Sequence, residues 1–457
     1  MLGGIEASLR RVAHYDYWSN SIRRSILFDA KADYLLYGMA ERSVVELAVC
    51  LRNGVDPRHI PGMCYIGREI PENTLTIPSF EACRESRKQF SRMFALFYEN
   101  NDPVSAKGLC QAHADRLLIQ NPPQPVPTPG ELDHIYELDY QLDLHPYYAN
   151  FGKVRALETI RFSITTHRGC HGECNFCAIA VHQGRTISSR SQDSIIREAK
   201  KLSSHPAFKG MIHDVGGPTA NMYGFECSKK LNKGACLDKR CIFPDICRKM
   251  PVNHGKQIEL LQRLRQIEGI KKVVVSSGIR YDLILADRKN GLQYLRQLVR
   301  HHISGQMKVA PEHCIDRVLD CMGKPGTGSL LKFRELFNRL TRQEGLPQFL
   351  TYYIIAAHPG CRLQDMIELK KFASKELKLI PRQVQIFTPT PSTWSTLMYW
   401  TGYNPLREAS CFVEKNANGR EKQKMALLGK QSPLGKKSRS LSRVAKKQKR
   451  NKRNKRK

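Results

Sequence analysis

The sequence predicts an α/β chain: a partial (β/α)6 barrel, preceded by an incomplete doubly wound α/β domain and followed by a disordered basic tail. Three observations predict it. From residue 158 onward six short, largely apolar runs alternate with amphipathic segments of helical period, the pattern of parallel strands covered by helices. One strand-and-helix pair stands near the start, and the last forty residues lose all apolar period and fill with lysine. The expected divisions are a partial Rossmann-like domain over 1–60, a loop-rich collar and Pro-rich connector over 61–157, the barrel over 158–405 with a Cys-rich insertion at 225–250, and the disordered basic tail over 416–457.

In chain order, a loop and helix open the sequence. The run ADYLLYG at 32–38 reads as a strand and 41–51 as an amphipathic helix, half of a doubly wound layer. Its missing front half would leave a sheet edge unpaired. The collar shows only one helix, near 80–99, before NPPQPVPTPGELD at 121–133, an extended connector. The barrel strands are expected at 159–165, 210–215, 271–276, 305–310, 348–356 and 382–387. Helices at 192–204, 256–268, 290–301, 329–344 and 362–378 lie between them. In such a barrel the chemistry sits on the loops that follow the strands.

Composition narrows the function classes. With 41% hydrophobic and 25% charged residues the chain is globular. It has neither a run of about 20 apolar residues nor an apolar leader, so a cytoplasmic protein without membrane partners is expected. There, 15 cysteines point to metal or buried thiols rather than disulfides. The formal charge of +32 is partly local: 431–457 carries 13 Lys and Arg and no acid. A tail so polar cannot offset its ordering cost and should bind RNA or another polyanion weakly, through counterion release.

The most informative stretch is RFSITTHRGCHGECNFCAIAVHQGRTISSR, 161–190. Cys170, Cys174 and Cys177 follow an alternating run into a Gly-containing loop, and their spacing lets one loop wrap a metal centre. Three thiolates are one fewer than a closed zinc or cubane site takes. On the residues alone disulfides, zinc with His171 or His182 as fourth ligand, and an iron–sulfur cluster all remain open.

Cys-x-x-x-Cys-x-x-Cys with Phe176 before the last cysteine resembles the signature of radical S-adenosylmethionine (SAM) enzymes. The surrounding RGCHGECNFCAIAVHQGRTISSRSQDSI is similar to the YgiQ-type family, whose substrate is unassigned, in an N-terminally shortened form. The resemblance implies a [4Fe-4S] cluster on the three thiolates, with SAM chelating the remaining iron through its amino and carboxylate groups. It further implies a one-electron donor, reductive cleavage of SAM to a 5′-deoxyadenosyl radical, and attack on an unknown substrate. The place of the Asp-x-His-x-x-Gly cobalamin motif is missing, so no cobalamin is expected.

The strand ends supply the remaining candidates. Gly216 and Gly217 stand where the family carries a Gly-Gly-acid motif for the SAM amino group, but Pro218 and Thr219 replace the acid. An amine contact would then fall to backbone carbonyls or Asp214, and a plain turn is the alternative. Ser276, Ser277 and Arg280 are placed to meet a carboxylate or ribose, since an Arg fork suits a carboxylate; a bridge from Arg280 to Asp282 competes. Glu312 and His313, in Ala-Pro-Glu-His, are candidates for proton handling, against a packed histidine beside a helix-start carboxylate. His358-Pro359-Gly360 resembles a family motif near the cofactor, and 388–391 with Trp394 is expected at the substrate mouth. No residue is assigned as catalytic.

Cys227, Cys236, Cys241 and Cys247 lie in the Lys-rich insertion, which lacks a core of its own and asks for a staple: zinc, an auxiliary cluster, or unlinked thiols. Two other function classes compete with the radical enzyme. One is a non-catalytic metal or iron–sulfur protein that binds RNA through its tail. The other is a pseudo-enzyme that never loads its cluster.

Overall fold

The computed structural model describes residues 1–379 and 381–429. The basic run from residue 430 onward, with the RNA-binding expectation attached to it, lies outside the described residues.

The N-terminal part is built on a five-stranded sheet ordered Tyr34–Leu36, Met63–Gly67, Arg116–Gln120, Gly108–His113, Thr74–Ile77. This sheet crosses the boundary expected at residue 60 and takes its strands from the supposed collar. Its first three pairings are antiparallel and only the last is parallel, which corrects the doubly wound expectation. The physical reason is the hairpin at Ala114-Asp115, with Ala114 at φ 53°: it reverses the chain directly, where a doubly wound layer needs helical crossovers. The edge foreseen as bare is covered, because Leu2 donates to Tyr34 O at 2.8 Å and accepts from Leu36 N at 2.9 Å.

Helix Arg87–Glu99 starts at Ser86, whose side chain accepts from Gln89 N. Its buried residues Phe90, Met93, Phe94 and Phe97 recur at helical spacing and form one face. The same apolar cluster contains Leu118, Val181, Met322, Ile354 and Leu427. The N-terminal part and the strand array are thus joined by shared core rather than by a linker.

Six strand regions follow in spatial order equal to chain order, all parallel. Ser163–Thr165 pairs with Asp214–Gly216, and Met211–Ile212 with Lys272–Val273. Ile279 bridges to Val309, Gln306–Glu312 pairs with Phe349–Ala356, and the latter pairs with Gln383–Ile386. Helices Gln192–Ser203, Gly255–Arg265, Gly291–Gln297, Gly328–Gln343 and Leu363–Phe372 lie where period predicts them. Three expectations shift, the first being that residues 129–133 of the expected extended connector open helix Pro129–Glu137, capped by Thr128. Residues 159–160 belong to helix Arg155–Ile160, so the first strand begins at Ser163. The tail expected to be disordered from 416 is helical over Ala417–Leu428, with Leu427 fully buried and Gln423 accepting from Ala357 N at 3.0 Å. Buried Gln423 and Leu427, with Ala426 and Leu428 packed against the core, order a helix whose first turns are polar.

Candidate functional site

Three strand-end loops meet around Gly172. A Cβ on this glycine would stand 3.2 Å from Cys170 Sγ, 3.7 Å from Cys174 Sγ and 3.5 Å from Arg280 Nη1. Two thiols and a guanidinium therefore close in on the position where the chain has no side chain. Cys170 Sγ also lies 3.6 Å from Thr219 Oγ1 and accepts from Gly172 N at 3.3 Å. Burial pushes the Cys177 thiol up to about 12, with the neighbouring Cys174 and Cys170 adding to it. Burial and Cys174 likewise raise Cys170. Among the described residues no three His, Cys, Asp or Glu side chains converge as they would on a single ion.

The loop is shaped locally by HQGR. Gly169 has φ 84°, and a Cβ there would fall 2.1 Å from Thr186 O, so only glycine passes. Gln183 Oε1 accepts from Gly169 N at 3.1 Å, and Gly184 O from Cys170 N at 3.2 Å. Arg185 Nη1 reaches Glu173 Oε1 at 3.3 Å, which also accepts from Tyr98 OH at 3.0 Å.

Asn175, between the second and third cysteines, is buried and bonded on every polar group. Its N donates to Met322 O and its Nδ2 to Cys321 O, both at 2.9 Å. Its O accepts from Ser395 N at 2.9 Å and its Oδ1 from Arg240 Nη2 at 2.7 Å. Sequence reasoning missed this hub, because its partners come from three distant segments and no local pattern marks it.

The candidate SAM contacts divide. At Gly217 a Cβ would come within 2.6 Å of His167 Cε1 and 2.8 Å of its carbonyl, so this glycine answers to the buried histidine behind it. Asp214 is not free for an amine: Oδ1 accepts from Ser276 N at 2.7 Å and Ser277 N at 3.1 Å, and Oδ2 from the Ser277 hydroxyl. Arg280 makes the competing bridge, Nε to Asp282 Oδ1 at 2.9 Å. Nη2 serves the other oxygen. That leaves Nη1, the nitrogen facing the cysteine loop, without a hydrogen bond among the described residues.

Glu312 and His313 point to different environments. Glu312 has φ 67°, an orphaned buried Oε2, and Lys324 Nζ at 3.9 Å. Burial raises its carboxyl to about 6 against the pull of Lys324 and Arg280. His313 is a packed residue: its Nδ1 accepts from Ile315 N at 3.1 Å and its Nε2 lies 3.6 Å from Cys361 Sγ, and burial lowers it to about 4. His358 is buried as well, with Nε2 2.6 Å from Ser395 Oγ. Trp394, expected at a substrate mouth, packs edge-on against Phe94 and Tyr98 at 4.8 and 5.1 Å between centroids.

Comparison with known proteins decides the family. The chain is 54% identical over 424 residues to a UPF0313 protein of Fusobacterium nucleatum, covering 93% of this chain and 75% of that one. The chain belongs to the UPF0313 family. This is the YgiQ-type family that the cysteine stretch resembles. A UPF0313 protein of Clostridium perfringens is 45% identical over 433 residues, and the chain spans 65% of that protein's length. Residues 1–163 of this UPF0313 chain match the radical SAM N-terminal family. A structure of the radical SAM methyltransferase TsrM of Kitasatospora setae, with cobalamin and a [4Fe-4S] cluster bound, aligns at TM-score 0.46 and 13% identity over 94% of this chain and 72% of that one, a loose likeness.

In the Cys-rich insertion, Cys227, Cys241 and Cys247 border one small apolar cluster with Cys170. Cys236 stands apart, receiving Lys229 Nζ at 3.4 Å. Among the described residues the four thiols form no ion-holding group.

Proposed function

We propose that this chain is a radical SAM enzyme: Cys170, Cys174 and Cys177 hold a [4Fe-4S] cluster at the top of a partial (β/α)6 barrel, and SAM binds beside it. The observation that carries the reading is the convergence on Gly172 of two thiols of the loop and the Arg280 guanidinium. The donor set suits iron–sulfur chemistry, being thiolates alone. Each thiol of such a cluster holds a different iron, so the three need not meet at one point. When bound, the cluster would supply one electron to break SAM and set a 5′-deoxyadenosyl radical on the unknown substrate, its own electron coming from an external donor.

The chain's own residues bind and orient. Arg280, fixed by Asp282, presents Nη1 toward the thiols, where it would meet a carboxylate. Gly216 and Gly217 would meet SAM through their backbone only, since His167, Ala220 and Ser277 pack against the places their side chains would take. Asp214 locks the Ser276-Ser277 turn, so Ser277 serves SAM through its backbone or not at all. Glu312 Oε2, buried and unpaired, asks for a donor that a ligand hydroxyl or amine would provide. A second metal on Cys227, Cys236, Cys241 and Cys247 would require Cys236 to leave Lys229. Weak RNA binding by the residues beyond 430 would be accessory to the chemistry.

The test is anaerobic reconstitution with iron and sulfide, followed by dithionite and SAM. The reading expects a brown protein that releases 5′-deoxyadenosine. A colourless zinc protein, or an intact cluster that releases none, overturns it, and the second outcome would favour the non-catalytic binding protein.

A further inference from the structure

The insertion over 225–250 was expected to need a metal staple, yet its charged side chains are spent on something else. Helix Ser228–Lys233 drives Lys230 inward until its side chain is 3% exposed. The ammonium donates to Arg185 O at 2.7 Å, to His171 Nδ1 at 3.1 Å and to Glu226 Oε1 at 2.9 Å. Cys241 Sγ lies 3.8 Å away as a further, weak acceptor, and such a set of acceptors is what makes a buried ammonium tolerable. Glu226 in turn accepts from Ile187 N at 2.6 Å through its other oxygen. His171 accepts at Nδ1, since an ammonium can only donate.

Arg240 completes the grip from the far end of the insertion. Nη1 donates to Glu173 O at 3.0 Å and Nη2 to Asn175 Oδ1 at 2.7 Å. Its path requires Gly323, where a Cβ would stand 2.5 Å from Nη1. The insertion is itself rooted on the N-terminal part, through Ala235 N to Asp102 Oδ2 at 3.0 Å. Of the residues between Cys170 and Cys177, His171, Glu173 and Asn175 each take a hydrogen bond from Lys230 or Arg240.

We infer that the insertion is the outer support of the cluster loop, with Lys230 and Arg240 as positioning residues that hold the three thiols in register and keep a bound cluster in place. This rests on the cluster reading of Cys170, Cys174 and Cys177. Outer-shell hydrogen bonds of this kind fix ligand orientation, and two cations beside a thiolate site favour its more reduced, more negative state.

The experiment compares the full-length parent with Lys230→Met and Arg240→Gln, each reconstituted anaerobically and checked for secondary structure by circular dichroism. Iron release to a chelator and the midpoint potential from an EPR-monitored titration are the readouts. Each variant should lose iron about 10-fold faster or more, the range for outer-shell changes, and its potential should move more negative. If Lys230→Met does not fold, Arg240→Gln carries the test, because this guanidinium is only half-buried. A loaded parent whose variants keep its iron-release rate and potential overturns this inference alone. A parent that takes up no iron overturns the cluster reading and the inference with it.

Discussion

Glu312→Gln should remove a pH dependence that the parent shows. In the folded chain this carboxyl titrates near 6 rather than its ordinary 4.5, because burial disfavours the anion more than Lys324 and Arg280 favour it. The folded state therefore holds the proton more tightly than the unfolded state. Stability falls as pH rises from about 4.5 through about 6, by about 2 kcal/mol at 1.36 kcal/mol per unit. Glutamine has no proton to lose. The stability difference between variant and parent should accordingly move by about 2 kcal/mol in favour of the variant between pH 4 and pH 7. Urea unfolding of the cluster-free protein at half-unit pH steps measures it, since slopes common to both proteins cancel. Parallel curves, or a difference that grows in favour of the parent, would refute the account of Glu312 as a buried carboxylate short of a partner.

Three further outcomes are expected. Gly217→Ala drives a Cβ to within 2.6 Å of the buried His167 ring and should cost about 1–3 kcal/mol, the usual toll of overpacking, read as a lower urea midpoint at unchanged slope. Asp287 is brought to about 2 because hydrogen bonds from His254 and Asn290 outweigh burial. The roughly 2 kcal/mol it contributes is full above its ordinary 3.8 and lost as pH falls through about 2, so Asp287→Asn should destabilise at neutral pH and converge with the parent in acid. Cys170→Ala, Cys174→Ala and Cys177→Ala should each abolish stable iron binding after reconstitution, while Cys83→Ala, buried in the N-terminal part, should retain it; equal iron in all four would dismiss the assignment.

Legibility followed sequence distance. The alternating units could be read because each strand and helix carries its own period: Ile195, Ala199 and Leu202 are buried where spacing puts them. The cysteine loop stands out in the sequence because its three thiols lie within eight residues, and the structure sets that loop after the first strand. The N-terminal sheet could not, since its order depends on pairings between residues such as Tyr65 and Ile119 that no local window contains. Arg280 illustrates a middle case, where spacing showed both candidate partners and only the fold assigned Nε and Nη2 to Asp282 while leaving Nη1 over the thiols. Nothing in the sequence sets Lys230 apart from the other lysines of the insertion, and its burial is a property of the docked insertion.

The helix Ala417–Leu428 changes how the lysine-rich end can be cut away. Gln423 accepts from Ala357 N and donates through Nε2 to Cys361 O at 3.1 Å, so the last described turns plug the rim of the fifth strand. A stop codon placed before residue 417 would unplug that rim and confound any comparison of nucleic-acid affinity with the integrity of the fold. Placed after Gly429, it would shed the polycation and leave the rim sealed.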